Sequence, residues 1–232
     1  MGLNPVLIWD IDGTILTTRG RGFPSMVRAV QEVTGLAKIS EIYTNTHGQT
    51  DIDVIRNLYG NQSKSISKND LNIILKLYEK YIEEVFYLNP PLILPNILET
   101  FNLIKSSTKY KMAIGTGNSF NGARIKLQTA RIIHFFSKNN FHCADVNNDK
   151  RMLVIREAKK NIRNDEFGIV IGDTLSDIIC AKENGISCIA IASGSFSFDE
   201  LQKYGADIVL DTSWTPDELL FSVKKIQKYR DV

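Results

Sequence analysis

Two stretches of this chain end an apolar run on an aspartate and carry a second aspartate close behind. The first is Val6-Leu-Ile-Trp-Asp10-Ile-Asp12-Gly13-Thr14, the second Gly168-Ile-Val-Ile-Gly172-Asp173-Thr174-Leu-Ser-Asp177. Continuous apolar runs of this length read as buried parallel strands, and open α/β sheets bind ligands beyond the carboxyl ends of their strands. Side chains alternate along extended chain, so Asp10 and Asp12 point to the same side. Carboxylates that close repel unless a cation or a shared proton relieves them. Gly13 lets the chain turn with positive φ directly after the pair. A helix-capping Asp would explain either carboxylate taken singly, but not two separate strands that each end in an Asp pair.

Two further stretches carry groups suited to an anion. Lys111-Met-Ala-Ile-Gly-Thr116-Gly117-Asn118-Ser119 reads as a strand followed by a turn rich in hydroxyl, amide and glycine. Such a turn offers backbone N–H groups and the Thr116 hydroxyl, aided by the N-terminus of the next helix. It is not a Walker A loop, since no Gly-Lys-Ser/Thr follows, and it lacks the dinucleotide-binding glycine spacing. Asp149-Lys150-Arg151-Met152 places two adjacent bases at a helix entrance. Val154, Ile155, Ala158 and Ile162 fall on one face behind Arg151, which favours it slightly over Lys150.

The elements that must position these groups follow from periodicity. Helical spacing runs from Phe23 to about Val33, and again from Asp51 to a stop at Gly60. It returns after Ser67-Lys-Asn-Asp70, whose ends stand at the spacing of a capping box, and continues to about Val85. No strand candidate lies between residues 18 and 88, and Asn89-Pro-Pro-Leu-Ile-Leu-Pro95 reads as a stiff connector. Beyond it, helix and strand alternate: helix 96–106, strand 111–114, helix 121–130, strand 141–144, helix 152–161, strand 168–171. Helix 177–183, strand 188–191, helix 198–204, strand 207–210 and helix 216–229 complete the series. The pattern predicts a Rossmann-like parallel α/β sheet with an all-helical unit inserted after the first strand. Residues 1–16 and 92–232 form the core in this reading, and residues 17–91 the inserted helical unit.

Composition excludes several classes. The chain of 232 residues is 43% hydrophobic, and its 28 basic and 26 acidic residues leave a net charge of +2. No basic block suggests a nucleic-acid footprint, and no apolar run approaches the length of a membrane span. Cys143, Cys180 and Cys188 are odd in number and widely spaced, as expected of reduced thiols. His47, His134 and His142 do not have zinc-site spacing. The N-terminus lacks the pattern of a cleavable signal. The expectation is a cytoplasmic protein, monomeric or homodimeric, with no nucleic-acid or membrane partner.

Asp10-Ile-Asp12-Gly13-Thr14 resembles the first motif of the haloacid-dehalogenase-like hydrolases. Thr116 in its turn resembles the second motif, Lys150 or Arg151 the third, though the usual Lys-Pro is absent, and Gly172-Asp173-Thr174 with Asp177 the fourth. Ala181-Lys-Glu-Asn-Gly185 and Gly205-Ala-Asp207 extend the likeness over nearly the whole core. The inserted helices match a C1-type cap, and His47-Gly48-Gln49-Thr50-Asp51 looks like a cap turn of phosphoglycolate-phosphatase-like members. Gly48 and Thr50 of that turn either face the substrate or only cap the following helix.

The resemblance implies a Mg²⁺-dependent phosphatase of a small phosphorylated metabolite. Asp10 would be the nucleophile and Asp12 the general acid and base, with Mg²⁺ held by Asp10, Asp173 and the backbone carbonyl of Asp12. Thr116, Gly117, Asn118 and Arg151 or Lys150 would hold the phosphoryl group, and Asp177 would support the base or a metal-bound water. The rivals are a phosphomutase of the beta-phosphoglucomutase type, a haloacid dehalogenase and a non-catalytic binding protein on the same fold. Asp12 together with Asp173 argues against a dehalogenase, and no degraded acidic position favours the binder.

Overall fold

The computed structural model describes residues 3–35, 46–60 and 66–230. Its centre is a six-stranded parallel sheet. The strands are β1 (Asn4–Trp9), β4 (Lys111–Ser119), β5 (Phe141–Ala144), β6 (Glu166–Gly172), β7 (Ser187–Ile191) and β8 (Ile208–Leu210), in spatial order β5-β4-β1-β6-β7-β8. The first strand in sequence is thus central, with Trp9 level with Ile114 on one side and Ile171 on the other. Alternation divides its side chains between two apolar layers. Leu7 and Trp9 join Ile169, Ile171, Phe101 and Leu127 on one face, while Val6 and Ile8 join Val170, Ile155 and Ile178 on the other. Each fully buried side chain of this size stabilises the fold by about 1.5–3 kcal/mol. A polar residue within the run would forfeit that on one face, so the polar groups collect at the strand ends.

Helices α4 (Ile97–Ser107), α5 (Phe120–Thr129), α6 (Arg151–Lys160), α7 (Leu175–Glu183), α8 (Phe198–Lys203) and α9 (Pro216–Arg230) follow the strands in the expected alternation. One strand differs from expectation. β4 runs on to Ser119, because the segment anticipated as a turn stays bridged to β5 through Thr116–Cys143 and Ser119–Ala144, with a register shift between the two bridges. Bulges of this kind re-aim side chains at the rim of a sheet.

Between β1 and β4 the chain forms the helices α1 (Gly22–Thr34), α2 (Asp51–Tyr59) and α3 (Lys68–Leu88). Gly35, left-handed at φ 71°, ends α1, and Thr50 and Ser67 cap α2 and α3 by accepting from Asp53 N and Asp70 N. The capping box expected at α3 is only half formed: the Asp70 carboxylate accepts from the Ser67 hydroxyl instead of the Ser67 backbone. The three helices share an apolar cluster of Val27, Val30, Ile52, Ile55, Ile74 and Phe86, which continues into Ile125 and Val154 of the core. No strand was expected in either of the two connections. They contain an antiparallel ribbon, β2 (Leu16–Thr17) against β3 (Leu92–Ile93), tied further by Leu94 N donating to Ile15 O. The insertion is therefore anchored at its base by backbone pairing. No helix among the described residues is long and apolar enough to cross a membrane.

Candidate active site

β1 stops at Trp9, and Asp10 keeps one more sheet contact, its N–H donating to Ile171 O at 2.9 Å. Gly13, at φ 84°, then reverses the chain. Asp173 follows the end of the neighbouring strand β6, and Asp177 lies in the first turn of α7. All three aspartates are buried, and Arg151, the first residue of α6, lies between two of them. Its Nη2 is 2.8 Å from Asp10 Oδ1 and 2.5 Å from Asp177 Oδ1. The other oxygen of Asp177 accepts from Thr174 N at 3.0 Å and Thr174 Oγ1 at 2.7 Å, closing a capping box. Asp177 therefore caps its helix and fixes Arg151 at once. Asp173 Oδ1 accepts from Thr14 Oγ1 at 2.8 Å.

Charge in this cluster is unbalanced. Burial pushes the Asp10 carboxyl up to about 6, with Arg151 pulling against it and Asp177 and Asp12 adding to it. Burial, followed by the Asp10 charge, holds Asp173 well above the usual carboxylate range. Burial disfavours the charge of Arg151, but Asp10 and Asp177 outweigh it and hold the guanidinium protonated. Three buried carboxylates facing one cation call for protons or a second cation.

The residues fit a hard divalent ion. Oxygens of Asp10, Asp173 and Asp177 lie within 4.8 Å of one another. Asp10 Oδ1 is buried without a hydrogen-bond partner, because Arg151 approaches it out of alignment. Two glycines make room for Asp173: a Cβ at Gly13 would stand 2.3 Å from its Oδ2, and one at Gly194 only 1.8 Å. Asp177 has both oxygens engaged, which leaves Asp10 and Asp173 as the carboxylates able to hold the ion.

A second charged cluster lies on the other side of Asp10. Lys126 of α5 is 4% exposed, and its Nζ donates to Asp12 Oδ2 at 2.5 Å and to Asn118 Oδ1 at 3.0 Å. Asp12 and then Asp51 raise the Lys126 ammonium above its usual range against the opposing effect of burial. Asp51, at the start of α2 in the insertion, accepts from Ser119 N of β4 at 2.8 Å. Burial lifts its carboxyl to about 6, with Lys126 and the Ser119 bond acting against the rise. Lys126 does not figure among the residues singled out from the sequence, and Asp51 figures there only as the end of the cap turn and the start of a helix. One signal was present: Gly122, Ala123, Lys126 and Leu127 share the buried stripe of α5. A lysine there needs a carboxylate partner.

The remaining site residues separate clearly. Thr116 and Asn118 reach the cavity, and Thr116 Oγ1 accepts from Asn118 N at 3.3 Å. Gly117 allows close approach of the insertion, since a Cβ there would stand 2.6 Å from Gln49 O. Of the two adjacent bases, Arg151 enters the site, whereas Lys150 turns away to Asp53 at 2.5 Å. Lys150 is thus placed as a strut between α6 and α2, which corrects its inclusion as a phosphate ligand. Thr50 also departs from a substrate-facing position. Its hydroxyl donates to Asp149 O at 2.7 Å and accepts from Asp53 N, so it caps α2 and pins the turn to the core. Gly48 does line the cavity, packed against Ser176 and Thr174.

The cavity that these groups enclose measures about 370 Å³ and has Asp10, Asp12, Asp173, Arg151, Lys126 and Thr116 at its floor. A buried oxyanion at a strand tip, an all-oxygen cation site beside it and a separate carboxylate two residues on could support attack on an anionic ester.

Known proteins resemble this chain over nearly its whole length. A probable phosphatase, IndB of Dickeya dadantii, is 20% identical over 214 residues, 90% of each chain. Among solved structures, a protein of Clostridium acetobutylicum described as a predicted phosphatase superposes with a TM-score of 0.68 at 19% identity, over 97% of this chain and 100% of that one. One from Haemophilus somnus, described as a predicted phosphoglycolate phosphatase, gives 0.65 at 18% identity, over 94% and 97%. The family profile of the haloacid dehalogenase-like hydrolases matches residues 7–191, from the first aspartate strand through the last described strand but one. With its four motif segments converging on one cavity, the chain belongs to the haloacid dehalogenase-like hydrolase family.

Proposed function

We propose that this protein is a Mg²⁺-dependent phosphatase of small phosphate monoesters, acting through a phosphoaspartate on Asp10. The observation that carries the reading is the division of cations: Arg151 accompanies Asp10, and Lys126 accompanies Asp12. Two carboxylates two residues apart are thereby given different surroundings, as nucleophile and acid–base must be. Bound at Asp10 and Asp173, with the Asp12 carbonyl as a further ligand, Mg²⁺ would neutralise phosphoryl charge and keep Asp10 ionised.

The steps rest on the chain's own groups. An Asp10 oxygen attacks phosphorus in line, and the bond from phosphorus to the ester oxygen breaks. Asp12 gives its proton to that oxygen and the alcohol departs. Asp12 then takes a proton from water, which attacks the phosphoaspartate and restores Asp10 with release of phosphate. Lys126 stabilises the ionised half of the Asp12 cycle and fixes its position. Arg151 and Thr116 stabilise charge on the equatorial oxygens. Residues 17–91 act as the cap that excludes bulk water, with boundaries at the β2–β3 ribbon.

The test is a screen of small phosphate esters with Mg²⁺, coupled to acid-quench detection of phosphorylated protein. Phosphate release with label on Asp10 supports the reading. Release that survives exhaustive chelation, or label that persists in Asp10→Asn, overturns it.

A further inference from the structure

Above the charged floor, the cavity wall contributed mainly by the insertion has a different chemistry. Phe23, Met26, Val54 and Leu94 line it, and Tyr78 of α3 reaches it from behind them. Tyr78 is 2% exposed, and its hydroxyl makes no hydrogen bond among the described residues. A buried phenol normally finds a partner, and an unpaired one facing a ligand cavity is a donor held for the ligand.

Charge points the same way. Lys126 and Arg151 are the only lysine and arginine among the described residues that line the cavity, and both are committed to its carboxylates. His47 lies within hydrogen-bond reach of the Ser195 hydroxyl, 3.0 Å from Nε2. Four aspartates line the same space, at positions 10, 12, 51 and 173. Asp51 stands on the insertion's side, where the alcohol portion of a phosphate ester would lie. A carboxylate on that portion would meet another carboxylate and find no unclaimed lysine or arginine among the described residues.

We infer that the substrate is the phosphate ester of an uncharged alcohol with apolar surface and at least one hydroxyl or ether oxygen, which accepts a hydrogen bond from Tyr78. This rests on the phosphatase reading and narrows it. The carboxylated ester phosphoglycolate is then a poor substrate, although one structural relative is described as a predicted phosphoglycolate phosphatase.

The experiment compares three esters at saturating Mg²⁺. Phosphoglycolate and ethylene glycol monophosphate differ only in a carboxylate against a CH₂OH group, and butyl phosphate is apolar and lacks the hydroxyl. The expected kcat/KM for ethylene glycol monophosphate exceeds that for phosphoglycolate by at least about 10-fold, the usual cost of meeting an unpaired buried charge. Tyr78→Phe should raise KM for ethylene glycol monophosphate roughly 3- to 10-fold, the worth of one neutral hydrogen bond. It should leave kcat, and KM for butyl phosphate, nearly unchanged, a selectivity that a general loosening of α3 would not produce. Equal or better turnover of phosphoglycolate, or a Tyr78→Phe effect common to all esters, overturns the inference while Asp10-dependent hydrolysis still stands. Absence of Asp10-dependent hydrolysis of every ester, p-nitrophenyl phosphate included, overturns the phosphatase reading and this inference with it.

Discussion

The two buried charge clusters on either side of Asp10 are built from the same residue types and differ in enclosure. Around Arg151, both carboxylate partners are at most 4% exposed, and the guanidinium is 6% exposed at its side chain. Around Lys126, the ammonium is equally buried, but the Asp12 side chain is 39% exposed to the cavity. A sealed cluster fixes the geometry of its charges, and because burial alone pushes Asp10 toward its neutral form, the carboxylate there depends on the cation beside it to stay ionised. A cluster open on one side lets a carboxylate exchange protons with whatever enters. Solvation of Asp12 also means that breaking its ion pair should cost less than breaking that of Asp10, because water can take up the freed carboxylate.

The largest expected effect breaks the sealed side. Asp10→Asn should remove the phosphorylated intermediate altogether and reduce turnover to background, measured by acid-quench labelling and phosphate release. Next, Asp12→Asn should slow hydrolysis of alkyl phosphates by roughly two to four orders of magnitude, the usual worth of acid–base help. The loss should shrink on aryl phosphates, whose leaving groups need no proton, and labelled protein should then be easier to trap. Equal losses on both ester types would erase the distinction between the clusters.

Stability should separate the two cations. Arg151→Met leaves Asp10 and Asp177 buried without their partner, and breaking a buried pair typically costs about 3–5 kcal/mol. Lys126→Met should cost less, since Asp12 can turn to water and Asp51 keeps the Ser119 N–H as a partner. Urea denaturation of both variants without metal would show it, and a Lys126→Met cost equal to that of Arg151→Met would contradict the difference in enclosure. The smallest effect concerns Asp51, whose carboxyl burial lifts to about 6. Its folded-state value lies above the unfolded one, so its contribution to stability is complete below about pH 4 and is lost as pH rises through about 6. Asp51→Asn keeps an acceptor for Ser119 N and abolishes the titration. Relative to wild type, the variant should therefore gain roughly 1–3 kcal/mol between pH 4 and 7. An unchanged difference across that range would place the charge of Asp51 in contact with solvent.

Much of this architecture could be read without the structure, because its signals are local. Val6 to Trp9 is an uninterrupted apolar run, and burial on both faces of a central strand requires no more than that. Aspartates at the ends of such runs sit at strand tips wherever the strands lie in the sheet, so Asp10 and Asp173 were legible as a pair. The caps at Ser67 and Thr174 depend on groups three residues away. What the tertiary structure alone decided involves partners distant in the chain. Lys126 meets Asp12 across 114 positions. Arg151 prevails over Lys150 because the start of α6 directs its first side chain toward Asp10 and Asp177 and the preceding one toward Asp53 of the insertion. Thr50 turns to Asp149 O across 99 positions, which no helix-capping pattern specifies. The β2–β3 ribbon pairs segments two residues long, too short to show any alternation. Periodicity reports which face of an element is buried, and a buried charge adds only that a partner must exist; which residue supplies it depends on how the sheet and the insertion close over one another.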